Sequence, residues 1–171
     1  VTIFNGQKLK LSNIIAQIYP ERFNRIMLAA HWDTRPFADQ DSVKRDKPID
    51  GACDGASGVG ILLEIARNLS MDTLPGNKGI DIILFDGEDY GQPDESRCRQ
   101  MDDTYCLGSQ YWAENPHAKN YHAVYGILLD MVGAKGATLF KEGNSEQYAP
   151  DILKKIWNKA YELGFSDYFR Y

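Results

Sequence analysis

Short apolar runs alternate along the chain with longer stretches in which apolar residues recur at helical spacing. "NIIAQIY" (13–19) and "RIMLAAH" (25–31) read as strands, and "GIDIILFD" (79–86) and "AVYGILLDMVG" (123–133) are nearly continuous apolar runs of the kind covered on both faces. The opening "VTIFNGQKLKLSN" reads as strand, turn and strand. Between the strands, "SGVGILLEIARNLS" (57–70) places Val59, Leu62, Leu63, Ala66 and Leu69 on one helical face and Glu64 and Arg67 on the other. A last helix, "APDILKKIWNKAYELG", has Pro150 near its start and Gly164 just past its end, with Ile152, Ile156, Ala160 and Leu163 as its expected buried side. Strands alternating with helices predict an α/β fold, a three-layer αβα sandwich around a mainly parallel mixed sheet.

Two long polar loops interrupt this pattern: residues 32–56, after the second strand, and residues 87–109, after "GIDIILFD". Loops of that length in a compact domain are usually functional or disordered, and open α/β sheets bind ligands at the carboxyl ends of their strands. There the chain places His31 and Asp33 in "AAHWD", Asp54 in "GACDGASG", Glu88 and Asp89 in "FDGEDYG", and Asp130 in "LLDMVG". Each has an ordinary structural reading. Asp54 precedes a helix and can cap it, Asp33 and Asp86 can cap turns, His31 can be a satisfied strand-end histidine, and Asp130 can pair with a lysine. Together they have one shared explanation, because converging carboxylates repel unless a proton, water or cation stands between them. One histidine among several acids suits zinc. In the adjacent pair Glu88 and Asp89, one side chain can bind the metal while the other stays free as general base.

Composition narrows the classes. With 171 residues, 43% hydrophobic and 25% charged, the chain has the make-up of one folded domain. A formal charge of −5 without a basic cluster argues against nucleic acid and against an anionic membrane surface. No run approaches the roughly twenty apolar residues of a membrane span, and the first residues lack the pattern of a signal peptide, which carries little weight in a chain starting at Val1. Cys53, Cys98 and Cys106 match no zinc knuckle; a Cys98–Cys106 disulfide and two free thiols both stay open. "GACDGASGVG" is not a phosphate cradle, since its glycines do not fall as G-x-G-x-x-G and an acid there would repel the ligand.

In this order, "AAHWDTRPFAD", "PIDGACDGASGVGILLEIAR", "ILFDGEDYG", "YCLGSQYWAENPH" and "GILLDMVGAKGATLFKEG" resemble the bacterial glutaminyl cyclases of the animal-type fold, within the clan of zinc-dependent aminopeptidases. The resemblance runs from about Asn13 to Tyr171. It implies a zinc-exopeptidase-like fold in which Asp54 and Asp89 are zinc ligands, Glu88 is the general acid and base, and Asp130 belongs to the catalytic hydrogen-bond network. In a two-zinc aminopeptidase, His31 and Asp130 would bind a second metal, with Asp33 behind His31. The implied reaction closes an amino-terminal glutamine to pyroglutamate with release of ammonia, using one zinc ion on a peptide or protein with a free amino terminus. The alternatives are a zinc aminopeptidase and a non-catalytic peptide-binding relative. The family also implies a periplasmic or extracytoplasmic location. Its third zinc ligand is a histidine beyond the point matching "SDYFRY", and its amino-terminal helical segment has no match here, so a single catalytic-core domain truncated at both ends is expected. His117 and His122 come too early in the order to replace that ligand. Ala30 stands where animal members have one partner of a disulfide, and "EDYGQPDE" lacks their pocket tryptophan.

Overall fold

The structure, a computed structural model, describes residues 1–71 and 74–170. It contains the strands β1 (Ile14–Ile18), β2 (Asn24–His31), β3 (Lys78–Phe85) and β4 (Ala123–Leu128), and the helices α1 (Ala56–Met71), α2 (Leu107–Glu114), α3 (Gly143–Tyr148) and α4 (Pro150–Glu162). The strands form one mixed sheet in the order β1-β3-β2-β4. β2 runs parallel to both β3 and β4, while β1 is antiparallel to β3. The register pairs Ile26 with Ile80 and His31 with Phe85, so β2 and β3 end side by side and the chain leaves both at the same edge.

The two faces of the sheet carry different helices. On one, Leu28, Ala30, Ile80 and Ile82 pack with Leu62, Val59, Ile65, Ala66 and Leu69 of α1. On the other, Ala29, Ile83 and Phe85 meet Trp112 of α2. Period-2 alternation in β2 and β3 thus feeds both cores, which is why these runs read as continuously apolar. α1 sits slightly rotated from the expected face: Ile65 joins the core and Leu63 is 63% exposed. At ~100° per residue, Leu63 lies a quarter-turn off the Leu62 centreline, whereas Ile65 lies inside the stripe.

β3 also carries an acid that its apolar sequence hides. Asp81 is fully buried, and its carboxylate accepts from the Arg25 guanidinium, Gln17 Nε2 and Tyr121 Oη. Burial alone would raise its pKa; these donors, led by Arg25, hold it below the ordinary value instead.

Other expectations are corrected. The opening segment forms only an isolated antiparallel bridge, Thr2 to Lys8, too short to count as two strands. β4, read as covered on both faces, is an edge of the described sheet with Val124 and Leu128 more than half exposed. An apolar run alone does not say how many strands flank it. Among the described residues Cys98 and Cys106 are free thiols.

The chain divides into two compact units, Val1–Met131 with the whole sheet, and Val132–Tyr171. In the second, α4 buries the expected Ala160 together with Leu153 and Trp157, whereas Ile152 and Ile156 are only partly buried and Leu163 is 63% exposed. Trp157 sets that rotation: its ring meets Phe169 edge-on at 5.3 Å and its indole N–H donates to Arg170 O.

Candidate active site

The parallel register brings the candidate residues to one end of the sheet. His31, the last residue of β2, is 3% exposed. Its Nε2 lies 2.9 Å from Asp54 Oδ1 and 3.4 Å from Asp130 Oδ1, and its Nδ1 lies 3.6 Å from Asp33 Oδ1. Neither ring nitrogen is aligned for a hydrogen bond. The facing Asp33 carboxylate, opposed by burial and helped by Glu88 and Asp130, pushes the imidazole up to about 9.

Asp33 also reaches the acid pair. Its two oxygens accept the backbone N–H groups of Glu88 (3.0 Å) and Asp89 (3.1 Å), which fixes the turn after β3. Burial pushes Asp33 up, but His31 and these two N–H donors outweigh it and leave the carboxyl below its ordinary range. The neighbours Glu88 and Asp89 then diverge. Asp89 is buried, its Oδ2 has no hydrogen-bond partner, and burial followed by the charges of Asp54 and Glu88 pushes it up to about 6. Glu88 is half-buried, and its Oε1 accepts from the Cys106 thiol, with Sγ at 3.3 Å. Burial first, then Glu88, pushes that thiol up to about 12.

Small residues explain how Asp54 enters this crevice. A Cβ on Gly55 would stand 2.6 Å from Asp33 O and 3.2 Å from His31 Cε1, and the residue has φ +83°. A Cβ on Gly58 would stand 2.4 Å from Leu129 O and 2.9 Å from Ala30 Cβ. The start of α1 is therefore pressed against the ends of β2 and β4, a closeness that only glycine allows. Asp54, Asp130 and His31 meet because of it.

Among the described residues, two sets have all their donor atoms within 4.8 Å of one another: His31, Asp54 and Asp130 in one, and His31, Glu88 and Asp89 in the other. The residues fit zinc. An imidazole sits among carboxylates, and Asp89 Oδ2 and the ring nitrogens are buried without a hydrogen-bond partner, a cost that a cation accepting the Asp89 lone pair and the one imidazole lone pair would relieve. His117 is elsewhere, accepting from Trp112 Nε1 at 3.2 Å in an aromatic cluster with Tyr121, and His122 is exposed. A cavity of about 520 Å³ beside α2, lined by Leu11, Ile15, Tyr111 and Trp112, contains none of the clustered acids.

Two further residues belong to the surroundings of the site, neither of them read from sequence as a site residue. Arg35 donates from Nη1 to Asp89 O (3.0 Å) while its other nitrogens grip Asp39, so it ties the first long loop to the acid pair. Cys106 is the second. Their contacts span 54 and 18 residues of chain, and no local pattern announces them.

Residues 13–171 match peptidase family M28. The chain is similar to a Zn-dependent exopeptidase from Parabacteroides distasonis, with 50% identity and a TM-score of 0.94 over 99% of this chain and 58% of that one. It is similar to the glutaminyl cyclase of Tannerella forsythia, with 53% identity and a TM-score of 0.92 over 99% of this chain and 58% of that one. A curated relative, the glutaminyl-peptide cyclotransferase of Gloydius blomhoffii, is 31% identical over 142 residues, 72% of this chain. The chain spans 37% of that relative's length.

Proposed function

The chain belongs to peptidase family M28, and from that premise we propose that the protein is a zinc-dependent glutaminyl-peptide cyclotransferase. One observation carries the reading: the 53% identity with a glutaminyl cyclase across 99% of this chain. The substrate is a peptide or protein whose first residue is glutamine, with its α-amine free.

In this reading Asp54 and Asp89, which fall in the two donor sets that share His31, would hold zinc, and the metal would supply Lewis-acid polarisation of the glutamine side-chain carbonyl. Glu88 moves the proton. As the α-amine nitrogen bonds to the side-chain carbonyl carbon, Glu88 takes a proton from that nitrogen. As the carbon–nitrogen bond of the side-chain amide breaks, the same carboxyl returns the proton to the leaving group, which departs as ammonia. Asp33 keeps Glu88 and Asp89 apart by holding both their N–H groups, so the two acids keep separate tasks. Asp130, 3.4 Å from His31 Nε2 and 44% exposed in its side chain, would accept hydrogen bonds in the catalytic network.

A second reading has its own support. The donor set His31, Asp54 and Asp130, with Asp89 of the adjoining set beside it, brings together the groups that a two-zinc aminopeptidase would share between its metals while Glu88 stays free. Glu88 would then take its proton from water, and a peptide bond would be cleaved. Ammonia release from a Gln-peptide, compared with release of free leucine from a Leu-peptide, separates the two. Faster ammonia release is expected. Faster leucine release would make the protein a peptidase, and neither product would leave a peptide-binding relative.

A further inference from the structure

We propose that Cys106 is a positioning residue for Glu88: its thiol holds one carboxylate oxygen so that the other faces the substrate. The inference rests on the reading of Glu88 as proton carrier and adds a residue to it. Its basis is a double attachment. The Cys106 backbone N–H donates to Glu88 O at 2.9 Å, and Leu107 and Gly108 donate in the same way to Gly87 and Asp86, so the two segments lie side by side. On that frame the Cys106 S–H donates to Glu88 Oε1, with Sγ at 3.3 Å.

Cys106 also breaks two local rules. It is the residue before α2, a position that favours Ser, Thr, Asp or Asn as a cap, yet its side chain makes no capping bond. It has φ 56° and ψ 30°, a left-handed conformation that glycine or asparagine adopts at less cost. Such conflicts with local preference are expected where a side chain serves a site. Here the side chain is turned from the helix to Glu88.

The chemistry favours a thiol. Asp33, Asp54, Asp89 and Asp130 surround the same crevice, and as carboxylates they accept hydrogen bonds and repel Glu88. A lysine or arginine would orient Glu88 but would also hold it ionised, which hinders a group that must accept a proton. A neutral, weak donor fixes direction and leaves the carboxyl free to gain and return the proton.

The test uses the zinc-loaded full-length enzyme and its Cys106→Ala and Cys106→Ser variants, with kcat and KM for a Gln-peptide and a Leu-peptide, zinc content and thermal midpoint. Cys106→Ala should lower kcat about five- to tenfold, the kinetic equivalent of one lost hydrogen bond. KM, zinc content and thermal midpoint should stay as in the wild type, and Cys106→Ser, which keeps a donor, should regain most of the loss. An alanine variant with kcat within about twofold of wild type would overturn the proposal. So would a serine variant no better than alanine, or a loss that follows zinc content or stability. A wild-type enzyme turning over neither peptide would overturn the functional reading and this inference together, whereas an active wild type beside an unaffected alanine variant overturns the inference alone.

Discussion

Glu88 and Asp89 are neighbours in the chain with opposite surroundings, and that difference makes their roles separable by mutation. Glu88 is half-buried with a neutral donor on one oxygen; Asp89 is buried with an oxygen that no hydrogen bond reaches. Glu88→Gln keeps the shape and loses the ability to take a proton, so it should retain zinc and lose at least about a hundredfold in turnover. Asp89→Asn should lose zinc instead, because a neutral amide oxygen is a poorer ligand than a carboxylate. Metal content after gel filtration, read beside kcat, checks both; equal loss of zinc in the two variants would show that the division of labour is wrong. The acids and His31 were legible in the sequence because each stands where an apolar strand or a polar loop places it. Asp33 was legible as the residue behind His31, but its grip on the Glu88 and Asp89 N–H groups was not, since 55 and 56 residues of chain separate the partners. Arg35 and Cys106 stayed hidden for the same reason.

Among the elements, α1 does most to assemble the crevice, and two adjacent leucines in it show what the pattern could and could not resolve. Leu62 is 1% exposed against Leu28, Ala30, Ile80 and Ile82, while Leu63 is 63% exposed. Leu62→Ala should cost about 2–5 kcal/mol, the range for a leucine removed from a packed core. Leu63→Ala should stay within about 0.5 kcal/mol, as for an exposed position. Urea titration of both variants measures the difference, and similar losses would contradict the observed face of α1. Sequence placed both leucines on the buried side because a wide apolar stripe does not mark its own centre. The strands β1 to β4 were legible from apolar runs, whereas α2 and α3 were not. "LGSQYWAE" and "GNSEQY" are short and rich in Gly, Ser and Asn, and their apolar residues are too few to show a period. α3 starts because the Glu142 carboxylate accepts from the Asn144 and Ser145 N–H groups, a bond visible only in three dimensions. The antiparallel placement of β1 was equally beyond the pattern, since alternation carries no direction.

For the molecule as a whole, the consequence of gathering Asp33, Asp54, Glu88, Asp89 and Asp130 around one imidazole in a chain of formal charge −5 is a dependence on pH whose sign turns on the metal. In the metal-free protein His31 is raised from 6.5 to about 9. Its contribution to stability is complete below 6.5 and is lost as pH rises through 9. Asp89 is raised from 3.8 to about 6, so the folded state holds that proton more tightly than the unfolded chain, and the benefit is lost as pH rises through 6. Asp33 works the other way, but its lowered pKa confines the effect to pH below 3.8. Between about pH 5 and about pH 8, the titrations of His31 and Asp89 therefore both weaken the metal-free fold as pH rises. Zinc reverses the direction, because its ligands must first lose their protons and proton competition fades over the same interval. The thermal midpoint in chelator should fall from about pH 5 to about pH 8, and the added midpoint in zinc should grow across that range. Melting curves at matched ionic strength, with chelator and with zinc, measure both slopes. A zinc increment that is constant or shrinks with pH would separate Asp89 from the metal and would remove the physical basis for reading this acid cluster as a zinc site.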